Sequence, residues 1–109
     1  MPKTAAKVDR VTPADIANYI YDLAKGCASQ AYALGRTYGP FATFSAYYTV
    51  PCGNIDARVQ AFPDWADVEP QWTKICEIRP DCTVEQNTRI LINHLRQLPI
   101  LPERLRLGC

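Results

Sequence analysis

The sequence predicts an α+β fold: an α-β-β-β-α two-layer sandwich in which a three-stranded antiparallel meander carries two helices on one face. Three observations lead there. Apolar residues recur at steps of three or four after Thr12 and again after Thr83, they alternate at steps of two between those stretches, and Gly and Pro mark the boundaries. A chain of 109 residues that is 48% hydrophobic and 21% charged has the material for one modest core. The expected organisation is an extended arm over residues 1–11, a single domain over 12–98 and a tail over 99–109.

The first helix is announced by Thr12 as N-cap, Pro13 at the first helical position and Asp15 near the positive end of the dipole. Ile16, Tyr19, Ile20, Leu23, Cys27, Ala31 and Leu34 form one apolar stripe, which predicts a helix over 13–34 that stops at Gly35. Gly26 inside it reads as a close packing contact or a break.

After Pro40 the period changes. Ala42, Phe44, Ala46, Tyr48 and Val50 alternate with Thr43, Ser45, Tyr47 and Thr49. Beyond a turn at Pro51, Cys52, Gly53 and Asn54, the residues Ile55, Ala57, Val59 and Ala61 alternate with Asp56, Arg58 and Gln60. Ala42, Phe44, Ile55 and Val59 are assigned to the core. Gln71 to Arg79, bracketed by Pro70 and Pro80, is read as an edge strand.

The second helix opens on a capping box, Thr83-Val84-Glu85-Gln86, and carries Val84, Thr88, Leu91, Leu95 and Leu98 on one side until Pro99 prevents continuation. No internal repeat or low-complexity segment is present.

Composition limits the function classes. No apolar run reaches the roughly 18 residues of a membrane span, and MPKTAAKVDR lacks the apolar core of a secretory signal. Membrane insertion and export are therefore not expected; the expected setting is the cytoplasm or a virion, with an organelle as the alternative. Five cysteines (Cys27, Cys52, Cys76, Cys82 and Cys109), odd in number and without a C-x-x-C pair, read as free thiols, with Cys27 and Cys76 as small buried hydrophobes.

Chemistry-bearing patterns are weak. His94, the single histidine, lies twelve positions after Cys82, about 18 Å along a helix, too far for a Cys and His catalytic pair. Cys76, Cys82 and His94 lack zinc-ligand spacing, and the PDWADVEP stretch lacks the Gly and spaced acids of a calcium loop, so no metal or other cofactor is expected. The acids there read as a solvated loop, and Trp65 and Trp72 as core lids. GRTYGP has no phosphate-loop Lys-Ser or Lys-Thr. Helix, three strands, helix is also the element order of double-stranded RNA-binding domains, but the second helix offers only Arg89 and Arg96 to phosphates, which argues against nucleic acid.

What remains is surface. The net charge of +1 is unevenly spread: residues 56–85 are acidic, with Asp56, Asp64, Asp67, Glu69, Glu77, Asp81 and Glu85 against Arg58, Lys74 and Arg79, whereas residues 86–109 are basic. Complementary ends of this kind suit head-to-tail contact between copies, and a homo-oligomer belongs among the expected assemblies. The polar side of the sheet, with Phe41, Thr43, Ser45, Tyr47, Thr49, Arg58 and Gln60, reads as a docking face, and the apolar, basic tail beyond Leu98 as a second contact. The partner-binding residues expected are Tyr47, Thr49, Arg58, Gln60, Arg104 and Arg106. The function this favours is a non-enzymatic protein-protein interaction protein, a small structural or accessory subunit of a virion or multisubunit complex. The alternative is a small soluble inhibitor that blocks a larger machine by surface binding, followed by an RNA-binding domain or a thiol-dependent enzyme.

Overall fold

A computed structural model describes residues 12–50, 55–61 and 65–98; the predicted arm (1–11) and tail (99–109), with Arg104 and Arg106, lie outside the described residues. The elements in chain order are α1 (Pro13–Tyr38), β1 (Phe44–Thr49), β2 (Asp56–Gln60), α2 (Trp65–Val68), β3 (Thr73–Ile78) and α3 (Val84–Leu95). The chain is α+β, with a three-stranded antiparallel sheet under α1 and α3.

Both long helices begin where local chemistry says they should. Thr12 Oγ1 accepts the Asp15 N–H at 3.1 Å while Asp15 Oδ2 accepts the Thr12 N–H at 3.0 Å. Thr83 and Gln86 repeat the arrangement at 3.1 and 2.9 Å, so each helix has two of its orphan donors satisfied. Asn87, buried in the first turns of α3, donates from Nδ2 to the Arg79 carbonyl at 3.0 Å and ties the helix to the end of β3.

α1 runs past the predicted stop. Gly35 is helical, and the helix ends at Gly39, whose φ of +99° is open to glycine at little cost and whose N–H reaches the Gly35 carbonyl. The reason for Gly35 is tertiary: a Cβ there would lie 2.6 Å from Cβ of Pro80. Gly26 neither breaks the helix nor makes a close contact, since a Cβ there would meet nothing within 4 Å.

The strand order is β2-β1-β3, which corrects the predicted meander: β1, not β2, is central, and β2 and β3 flank it, each antiparallel to it. The physical reason lies in the link over residues 61–72, which is too long for a hairpin and carries α2. Trp65 of that helix sits on Tyr47 of β1, so the chain passes across the sheet before β3 pairs on the far side. β2 thus takes an outer place and β1 the central one, and the predicted edge strand, β3, is an edge strand.

The core lies between sheet and helices. Ile20, Ala24, Cys27, Ala28 and Ala31 from α1, with Leu91 and Leu95 from α3, pack on Phe44, Ala46, Ala57, Val59 and Ile78. Small side chains on α1 let the helix approach closely, and removal of this apolar surface from water supplies about 25 cal/mol per Å². Cys27 sits within that layer, and burial pushes its thiol up to about 12; Cys76, half-buried, is pushed up to about 11, again chiefly by burial. Both behave as apolar fillers. The cysteines among the described residues are free.

Candidate interaction surfaces

Ser45 and Tyr47 point away from the helices, on the face read from sequence as open for docking. Tyr47 is 1% exposed, as is Ser45. The cover is a ladder of rings: Trp65 meets Tyr47 edge-on with centroids 5.1 Å apart, Trp72 meets Trp65 at 4.8 Å, and the Arg58 guanidinium lies 5.3 Å from the Trp72 ring centre. Each edge-on pair contributes about 0.5–1.5 kcal/mol beyond its buried area. The middle of this face is thus closed by the chain itself, and Tyr47 is withdrawn from the set of residues able to meet a partner. Both tryptophans act as lids. The acidic loop predicted between them is a single helical turn, α2, whose hydrophobic anchor is Trp65.

The other predicted contact residues divide. Arg58 is exposed and carries a surface pair with Asp56 at 3.8 Å, while Thr49 and Gln60 are half-buried. Ser45 Oγ has no hydrogen-bond partner among the described residues, at a cost of about 1–3 kcal/mol for a buried hydroxyl.

The sheet edges are occupied or blunted. On β2, the Val59 N–H donates to Gln30 Oε1 at 2.9 Å. Just before the strand, the Ile55 N–H donates to the Tyr19 hydroxyl at 3.0 Å, and that hydroxyl in turn donates to the Ile55 carbonyl. Desolvation raises the Tyr19 pKa, so the phenol stays protonated and able to donate. On β3 the register shifts opposite Ala46 and Tyr47, and Lys74 and Glu77 stand exposed, joined at 3.3 Å. A bulge and two charges on an edge are devices that discourage strand addition.

The helical side is open. Tyr21 and Lys25 of α1, with Val84, Glu85, Thr88, Arg89 and Ile92 of α3, line a groove of about 260 Å³. Val84 and Ile92 belong to the core's partly buried margin, so the floor is apolar, and Lys25 Nζ lies 5.9 Å from the Tyr21 ring centre. Further exposed apolar side chains are Tyr32 and Ile90 on the two helices, Tyr38 and Phe41 at the corner between α1 and β1, and Val68 at the end of α2. Phe41 is 83% exposed and Val68 72%. Sequence periodicity could have indicated Tyr21 and Tyr32, which fall outside the apolar stripe of α1.

Among the described residues, no three His, Cys, Asp or Glu side chains gather closely enough to hold a metal ion, and no helix is long and apolar enough to cross a membrane. Cys82 and His94 stand at opposite ends of an unbroken α3, with His94 exposed. Comparison of the chain with known protein families, with curated proteins and with solved structures finds no match.

Proposed function

We propose that this chain is a non-catalytic interaction protein, a small structural or accessory subunit of a larger assembly such as a virion or multisubunit complex. One observation carries the reading: large apolar side chains project into solvent on several separate sides of a small fold. Phe41 and Tyr38 occupy the α1–β1 corner, Tyr21, Tyr32 and Ile90 the helices, and Val68 the opposite side. Tyrosine and phenylalanine are enriched where proteins meet, and they lose little entropy on contact. A subunit with several neighbours needs several such places, whereas an inhibitor of one target uses one.

The contact surface differs from the one read from sequence. The ring ladder over Tyr47 moves the docking role away from the centre of the sheet to the corner and the helical side. Arg58 remains as a rim residue over Trp72, while Thr49 and Gln60 stay half-buried on β1 and β2.

The test is isolation of the tagged chain from its native source under mild conditions, in parallel with Phe41→Ser and Tyr32→Ser variants, with quantitative mass spectrometry of attached proteins. The expected result is a defined set of companions that each variant loses in part, with an unchanged melting temperature. Recovery of the chain alone and monodisperse contradicts the proposal. A single companion at one-to-one stoichiometry favours the inhibitor reading.

A further inference from the structure

Two features of opposite charge character lie on the two sides of the sheet. The first is the groove between α1 and α3, with an apolar floor from Tyr21, Val84 and Ile92 and a rim bearing Lys25 and Arg89 against one acid, Glu85. The second is the knob at the end of α2, where Val68 projects 72% exposed between Asp67 and Glu69. The knob is held in place: Trp65 anchors the turn on Tyr47, the Glu69 N–H donates to the Trp65 carbonyl at 2.9 Å, and the Glu69 carboxylate accepts from Gln71 Nε2 at 3.2 Å.

We infer that the groove receives the Val68 knob of a second copy of this chain. The inference rests on the subunit reading and names one of its partners. An exposed valine in an acidic turn, with Asp67 and Glu69 as its neighbours in the chain, meets an apolar floor whose rim carries two cations and one acid, so charge and hydrophobicity are complementary together. The knob lies on the face of the sheet away from the helices and the groove lies on the helical layer, so one chain cannot fill its own groove. Contact by strand addition is disfavoured, because Gln30 occupies the Val59 N–H of β2, Tyr19 holds the backbone of Ile55 just before that strand, and the bulge with Lys74 and Glu77 blunts β3. A knob and a groove that differ make a heterologous contact, which propagates head to tail into a ring or a filament.

The experiment is sedimentation velocity on the full chain over a wide concentration series, at low and high salt. The expected result is a mass that rises past the dimer and falls back with added salt. Val68→Ser removes the knob, and the double variant Lys25→Glu with Arg89→Glu removes the groove; each is expected to weaken association by about tenfold or more. Circular dichroism and melting temperature report whether either has failed to fold. Glu85→Gln, which removes the one like charge facing the knob, is expected to tighten association.

The decisive arm is a mixture of the Val68→Ser chain with the double charge variant. One retains a groove and the other a knob, so together they form a dimer that grows no further. A pure chain that stays monomeric at every concentration overturns the inference, as does a mixture that forms no dimer. If the pure chain is monomeric while native material still holds other companions at the helical side, the second-copy inference fails and the subunit reading stands. An acidic protein of different sequence captured by the groove in that material has the same meaning.

Discussion

Gly26 and Gly35 sit nine positions apart in one helix, and the structure assigns opposite signs to the same substitution at each. Gly26 lies on the solvent side of α1, and a Cβ built there meets nothing within 4 Å. Replacement by Ala removes backbone freedom from the unfolded chain and is expected to stabilise by about 1 kcal/mol. Gly35 has the same helical backbone and the same propensity gain, but its new methyl would stand 2.6 Å from Pro80 Cβ, 3.5 Å from Cγ and 3.9 Å from Cα. A proline ring cannot rotate away, so helix and β3–α3 connection must part, at a cost of about 1–3 kcal/mol for overpacking. The net expectation for Gly35→Ala is a loss of about 1 kcal/mol. Urea unfolding followed by far-ultraviolet circular dichroism reads both, with the midpoint rising for Gly26→Ala and falling for Gly35→Ala at constant slope. In thermal melts each kilocalorie corresponds to about 4–8 °C for a domain near this size. Equal stabilisation by both substitutions would refute the placement of α1 against Pro80. A destabilising Gly26→Ala would mean that this face of α1 is packed rather than open.

Tyr19→Phe removes the hydroxyl that serves both backbone groups of Ile55 and is expected to cost about 1–2 kcal/mol, read as a lower urea midpoint with faster hydrogen exchange at Ile55. Trp65→Ala opens the cover over Tyr47 and is expected to cost about 2–3 kcal/mol, while solvent quenching of the remaining Trp72 fluorescence increases; unchanged quenching would count against the ring ladder. Ser45→Ala relieves an unpartnered buried hydroxyl and is expected to be neutral or stabilising by up to about 1 kcal/mol in the same urea assay. Burial raises the thiols of Cys27 and Cys76 to about 12 and about 11 from 9.0, so the folded state keeps protons that the unfolded state releases. Their contribution to stability is complete below pH 9 and is lost as pH rises through 11 and 12. Urea midpoints measured from pH 8 upward should therefore fall, with a shallower fall in Cys27→Ala, and iodoacetamide should reach Cys27 only on unfolding.

What sequence could reveal depended on how far the responsible interactions reach. The N-cap at Thr12 and the capping box at Thr83 act over three residues and were plain in the residues themselves, whereas the return bond from Asp15 to the Thr12 N–H was seen only in the structure. The end of α1 was not, because Gly35 is set by Pro80, which is remote in sequence. The strand order hid for the same reason, although one local sign pointed to it: FSAYYT of β1 carries no charge, whereas β2 has Asp56 and Arg58 and β3 has Lys74 and Glu77. A central strand sheds charge and edge strands keep it. The burial of Tyr47 was illegible from alternation, since its side of β1 carries Ser45 and Thr49, and its cover comes from a helical turn too short to show a period. Of the candidate contact residues among the described residues, Arg58 is exposed, Thr49 and Gln60 are half-buried and Tyr47 is buried. The groove between α1 and α3 required the two helices to be placed side by side.

Hydroxyl-radical footprinting of the chain, free and in its native assembly, tests the central claim most directly: the protein acts through its outward aromatic side chains while the underside of its sheet is closed. In the free chain, Tyr32 and Phe41 should react readily and Tyr47 should stay protected; in the assembly, Tyr32 and Phe41 should become protected as well. Equal reactivity of Tyr32 and Phe41 in both states, or a Tyr47 that reacts in the free chain, would contradict it.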